Sequence, residues 1–574
     1  MQKLAEKYKN SPRAEMMKPT IGFHAISFLC ISWGQRSDSF SPLSKTATGY
    51  RHFSSPVIKR TTSSIIFASD ENIFFEDDED LFNSISSTTT TKSNVDLSGA
   101  TTRQFNLGYD LILSSYAGAI GFDEVVDWEY YDNPGEKVRN VVEPPPLDPT
   151  KPKRTRSSSG SVVRVFRAEL AGSIASTLRS QGLEYRVLVK EFAGEKAEDL
   201  ASAELETLGR LQSVLSANMI ESAKRGDWAN TASSRYLLGM EKGDTRKDDI
   251  SLMQLMGVLS GKKQSLPFVG ILGRLNLAEY ENDPNLDPNE WYRALGVPPP
   301  KPNSIWIVYE YAGLSTLKSY SQPPLLRWSK LPPKKGIFGN PVMPPPIPPW
   351  KERANYVVKC ILKKSLEGLA ILHENGVAHR SIGGSSIILS TPALDKSQPA
   401  SIYTTSSFNT FTKFADFGFA GVISESCMDE SFRRRAKTFG VDIKDQQLST
   451  ATSIQETNFA IAEDLHALGF VFLGALLTTL AEPKTENYKM PDTDEDSLQR
   501  LLGEIFDKDI EEFREYCEAE DIWSNVVALL DENDGAGWEL INKMCFARER
   551  AGKLGNDSLQ LVTARGLLAN PLFQ

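Results

Sequence analysis

"FTKFADFG" (residues 411–418), with "VAHRSIGGSS" (377–386) upstream of it, decides how this chain is read. The later run is strand-like and enters Asp416-Phe417-Gly418. That triplet offers a carboxylate, an aromatic ring and a residue free to turn. The earlier run follows a helix. In "NYVVKCILKKSLEGLAILHENG" (355–376), Val358, Leu362, Leu366, Leu369 and Leu372 share one face, and Gly376 ends the helix as a C-cap. The two runs together are a candidate site.

Working outward, residues 157–170 and 185–192 alternate apolar and polar side chains and are rich in valine, the pattern of strands. Lys190 shares a strand face with Leu188, while Val187 and Val189 point the other way. In the helical run "AEDLASAELETLGRLQSVL" (197–215), Leu200, Glu204, Leu208, Leu211 and Leu215 fall on one face. Glu206 lies about 200° round from Glu204 and faces away. Two more strands follow, "FVGILGRL" and "SIWIVYEY", and the chain then turns helical. The expectation is an α+β protein, strand-rich first and helix-rich second, with no internal repeat. "LHALGFVFLGALLTTL" (465–480), preceded by Glu463 and Asp464, reads as a buried core helix, and "IGFHAISFLCISWG" is too short and too polar to span a bilayer.

In this order the runs resemble the eukaryotic-type protein kinase superfamily, from about residue 157 to the C-terminus. The resemblance implies a two-lobed fold, with a strand-rich N-lobe over about 157–311, a helical C-lobe over about 312–574, and Pro-rich insertions. It implies ATP and Mg²⁺ as ligands. Lys190 would anchor the phosphates, Glu204 would hold that lysine, and Asp416 would hold the metal. Gly160 would be the surviving glycine of the phosphate-covering loop. Glu310 would fall at the hinge, where the main chain meets adenine. His379 would brace the Asp416 segment, and Asp464 would hold the backbone of the His-Arg loop.

The departures cluster on transfer chemistry. Ser381 stands where the family keeps its base aspartate, Gly383 where it keeps a cation, and Ser386 where it keeps the second metal-ligand asparagine. Aligning "VFRA" with the end of the glycine loop sets Ser158, Gly160 and Val163 at its three glycine positions, and the branched Val163 obstructs close approach to phosphate. No Ala-Pro-Glu platform motif lies between 419 and 463. Loss of a general base alone costs roughly 10²–10⁴ in rate; the combined losses are of another order. The reading is a pseudokinase with no assigned catalytic residue, a binding or scaffold module in which weak ATP binding stays open. The alternative is an active Ser/Thr kinase with a non-standard loop, its acid delivered from an insertion such as the ones holding Asp395 or Asp429.

Of the net charge of -10, residues 17–69 carry six Lys/Arg against one acid, Asp38. That run is also rich in Ser and Thr, so residues 1–69 resemble a transit peptide, with Met17 an alternative start. A chloroplast is the expected destination, with mitochondrion and cytoplasm as alternatives. The acidic remainder argues against nucleic-acid binding; the expected partner is an unidentified protein. Residues 70–102, acidic and then Ser/Thr-rich, read as a disordered linker. Residues 103–156 read as an extension and a Pro-rich linker. A further insert, 323–349, holds ten prolines in 27 residues and is expected to run extended and exposed. The five cysteines form no metal-binding spacing and read as reduced, mostly buried thiols.

Overall fold

The computed structural model describes residues 103–124, 157–180, 184–224, 266–277, 293, 304–313, 315–321, 334–335, 341–342, 349–390, 410–423, 430–441, 454–482, 490–554 and 561–574. The readings of 1–69 and 70–102, and of most of the 323–349 insert, lie outside these residues.

Strands β1 (Gln104–Asn106), β2 (Leu111–Glu124), β3 (Ser157–Leu170), β4 (Arg186–Ala193), β5 (Ile271–Asn276) and β6 (Ile305–Glu310) form one six-stranded sheet. Helix α1 (Gly172–Ser180) joins β3 to β4, and the long α2 (Glu195–Lys224) follows β4. The spatial order is β1–β5–β6–β4–β3–β2. The end strands β1 and β2 are nevertheless joined by residues 107–110 alone. Five strand gaps of ~4.8 Å would make a flat sheet about 24 Å wide. The five Cα steps from Asn106 to Leu111 reach at most about 19 Å. The sheet therefore curls until its ends approach, and Leu107 bridges Leu111.

Residues 103–124, set apart by the sequence as an extension, thus supply two of the sheet's strands. Their apolar side chains explain it: Phe105, Leu107, Leu111 and Leu113 are all buried. β2 and β3 pair antiparallel, and residues 125–156 between them lie outside the described residues.

The second half is helical, so the protein is mixed α+β. Helix α3 (Leu317–Tyr320) is capped by Thr316, whose side chain accepts from Ser319 N. Two short strands, β7 (Lys334–Lys335) and β8 (Pro341–Val342), pair antiparallel inside the Pro-rich insert. Proline density does not exclude pairing there, because a two-stranded ribbon leaves each strand an outer edge that needs no donor. Helix α4 runs from Trp350–Tyr356 through a π-helical stretch, Val357–Leu362, into Lys363–Glu374. All five leucine and valine positions predicted for its apolar face are buried. Strand β9 (Val377–Ala378) precedes the loop 379–386, and β10 (Ile387–Ser390) follows it. Strand β11 (Phe411–Phe414) pairs with β10, and β12 (Gly421–Val422) with β9. Then come α5 (Glu430–Thr438) and the central α6 (Ile454–Thr479). Against α6 pack α7 (Glu495–Arg500), α10 (Glu532–Cys545) and α11 (Ala547–Leu554), while α8 (Ile510–Ala519) packs on α9 (Ser524–Leu530), α9 on α10, and α12 (Ala564–Leu567) on α4.

Helix α6 is long and apolar enough to cross a membrane, yet 89% of its apolar window is buried inside the protein. Its close packing depends on Gly469. A Cβ there would lie 2.8 Å from Met544 Cβ and 2.9 Å from Cys545 N on α10. Alanine would gain about 1 kcal/mol of helix propensity and lose about 1–3 kcal/mol to overpacking. Gly469→Ala should therefore lower stability, read as an earlier denaturant midpoint at unchanged slope.

Candidate functional site

Lys190 lies on the inner run of β4, paired with Val165 of β3 and Ile307 of β6. Its ammonium sits 3.3 Å from Glu204 Oε1 and 2.9 Å from Asp416 Oδ1, with the Tyr309 ring centroid at 4.6 Å. The helix delivers the carboxylate the spacing predicted. Glu204 is buried, whereas Glu206 is exposed and pairs with Arg210. Gln212 holds α2 to the sheet, its amide exchanging two 2.8 Å hydrogen bonds with the backbone of Ile271.

Burial alone would lower the pKa of the Lys190 ammonium, but Asp416 and Glu204 outweigh it and hold the pKa above its ordinary value. Burial pushes Glu204 up, against the pull of Lys190. The Tyr309 phenol is raised by burial and then by the charges of Glu204 and Asp416. A fixed, charged ammonium is what a phosphate group would meet here.

Asp416 has φ 66° and ψ 57°, a left-handed conformation. For a non-glycine residue this costs of order 1–3 kcal/mol and needs surrounding structure to hold it. Phe417 supplies that hold: it is fully buried, with ring centroids 4.6 Å from His379 and 6.1 Å from Phe268. Gly418 is needed for close approach, since a Cβ would lie 3.0 Å from Leu200 Cβ of α2.

The loop 379–386 hangs from one buried carboxylate. Asp464 accepts from His379 N and Arg380 N, both at 2.7 Å, and lies 3.0 Å from His373 Nε2. These donors outweigh burial and lower its pKa. His379 Nε2 donates to Ala415 O at 3.0 Å, bracing the Asp416 segment. Ser381 is half-buried. Ser386 is buried, and its hydroxyl is spent inside the loop: Oγ donates to Gly383 O at 2.9 Å and accepts from Gly383 N at 3.0 Å. A neutral hydroxyl so engaged is no substitute for a metal-ligating amide.

The structure brings Lys190, Glu204 and Asp416 together. It does not add Gly160. Ser158 and Val163 are ladder residues of β3, opposite Asp123 and Ile120, and Gly160 sits within the same strand.

Glu310 also differs from expectation, since its side chain matters. It is buried, 2.6 Å from Lys413 Nζ, and it accepts from Gly270 N at 2.9 Å. Its own N–H donates to Gly270 O. The pair ties the end of β6 to β11, and burial raises the Glu310 pKa against the pull of Lys413. Sequence reasoning missed Lys413, although a lysine inside the apolar "FTKFA" demanded a partner. It missed Glu495 as well, whose Oε1 accepts from Gly384 N at 3.0 Å. No spacing rule could find that contact. Asp395 and Asp429 lie outside the described residues.

No protein-family model matches the chain, and no curated protein matches it. Among solved structures, a Stt7 homologue from Micromonas algae, its crystal soaked with ATP, matches at 14% identity and a TM-score of 0.35, covering 72% of this chain and 88% of its own.

Two outcomes follow from this geometry. Lys413→Met strands a buried carboxylate and should cost about 3–5 kcal/mol in denaturant unfolding, whereas Glu310→Gln with Lys413→Met should cost much less. The second outcome concerns pH. Burial lowers His379, and lowers His466 further, aided by Arg548. Both hold a proton less tightly in the folded chain than in the unfolded chain, which takes up protons below about pH 6.5. Their contribution is complete above that pH and is lost as pH falls. The melting temperature should drop between pH 7 and pH 5, with a shallower slope in His466→Phe.

Proposed function

We propose that this chain is a protein-kinase-like binding module, a pseudokinase that contacts nucleotide phosphate without transferring it. The carrying observation is an asymmetry within the site. Lys190 is poised between Glu204 and Asp416, whereas Ser386 has its hydroxyl committed to Gly383. Lys190 would meet a phosphate and Asp416 would hold one Mg²⁺. Serine at Ser381 and Ser386 leaves no carboxylate at the first position to activate an acceptor hydroxyl and no amide at the second to hold a second ion. The basic, hydroxyl-rich run 17–69 supports a plastid as the place of action, through a protein partner.

A second reading, an active Ser/Thr kinase, is favoured by one contact: the carboxylate of Glu495 touches the loop that lacks its own acid. Phosphotransfer assays beside a Lys190→Met control separate the two. No transfer above that control is expected; transfer abolished by both Lys190→Met and Glu495→Gln would establish the second reading. ATP at about ten times its Kd should stabilise the fold by about 1.4 kcal/mol. This gain should shrink in EDTA and in Asp416→Ala. Equal stabilisation in EDTA would remove Asp416 as a metal ligand. For location, residues 1–75 fused to a fluorescent reporter should enter plastids, and a diffuse signal would reject that assignment.

A further inference from the structure

The segment after Asp416 has no Ala-Pro-Glu motif, yet residues 430–441 are firmly docked on the helical part. Phe432, Ala436 and Val441 are buried. The Phe459 ring of α6 lies 5.4 Å from Phe432 and 5.7 Å from Phe439. A Cβ on Gly552 of α11 would lie 1.9 Å from Phe439 O, so the chain passes where only glycine leaves room. At the centre is Glu463, a buried carboxylate of α6. It accepts from Arg435 Nε at 2.9 Å and from the Arg435 terminal nitrogen at 3.1 Å, and Arg548 lies at 3.5 Å.

We infer that Arg435 and Glu463 are the pair that anchors this segment to the helical part, and that the anchoring needs no phosphate. Segments ordered by phosphorylation wait for an anion to gather their arginines. Here the anion is already present as Glu463, and the guanidinium of Arg380 lies over the Phe432 ring, 5.6 Å from its centroid. Glu463 and Asp464 are consecutive on α6. One carboxylate holds the segment and the next holds the loop 379–380, so the two are registered through a single turn of helix. The polarity suits the sequence, in which the segment brings arginines and the helical part brings the acid.

The test is limited proteolysis of the full chain, reading cleavage within 424–453 in a double-mutant cycle. Arg435→Gln and Glu463→Gln should each speed cleavage by roughly tenfold, and the double variant should be no faster than either. Gly552→Ala, which leaves the charges intact, should also speed it, and phosphatase treatment should change nothing. Additive single effects would overturn the pairing, and faster cleavage after phosphatase would overturn the independence from phosphate. If Glu463→Gln fails to fold, Arg435→Gln still decides, because it keeps Glu463 with Arg548. An unchanged rate in that variant would sink the anchor.

Discussion

One ammonium group serves two carboxylates that come from opposite halves of the chain. Lys190 sits on the sheet, Glu204 on the helix beside it, and Asp416 on the segment after β11. Removing any one leaves a partly buried charge without its complement, a far larger penalty than the pair's net worth. The sheet, α2 and the Asp416 turn are thereby held in one arrangement before any ligand arrives. Everything that places Lys190 serves this contact, from the β3–β4–β6 ladder to the amide clasp of Gln212.

Asp464 does the equivalent work for the helical half. A fully buried carboxylate is tolerable only when its oxygens are saturated by donors. His379 and Arg380 supply backbone donors and His373 a side chain, so the loop must adopt one path over α6. The strained φ of Arg380 and of Asp416 are the local cost of that path. The loop that Asp464 holds in this way carries Ser381 and Ser386.

The faces of Lys190 and Glu204 were legible because period-two and 3.6-residue patterns fix which face a side chain occupies, whereas Asp416 was placed by the resemblance of its Asp-Phe-Gly triplet. Glu204 against Glu206 shows the power of that rule. The pairing of β2 with β3 was not legible. Its strands are separated by a long connection, and pairing across such a gap leaves no periodic trace. The membership of β1 in the sheet was hidden for the same reason, since parallel pairing of Gln104 with Arg274 depends on tertiary closure. Glu310 was read through its backbone because it falls at the end of a strand. Its side-chain role emerges only when β11 is brought alongside.

The closure of the curled sheet also sets an order of assembly. On the ribosome the chain emerges from its N-terminus, so β1 and β2 appear long before β5. β2 can pair with β3 soon afterwards, but β1 must wait, solvated and unpaired, until β5 has been made. Non-local pairings of this kind carry a loop-closure cost before they return any contact, and they slow folding. Because β5 in turn reaches β4 only through β6, the first strand to be synthesised joins the rest of the sheet only after the last one has been made.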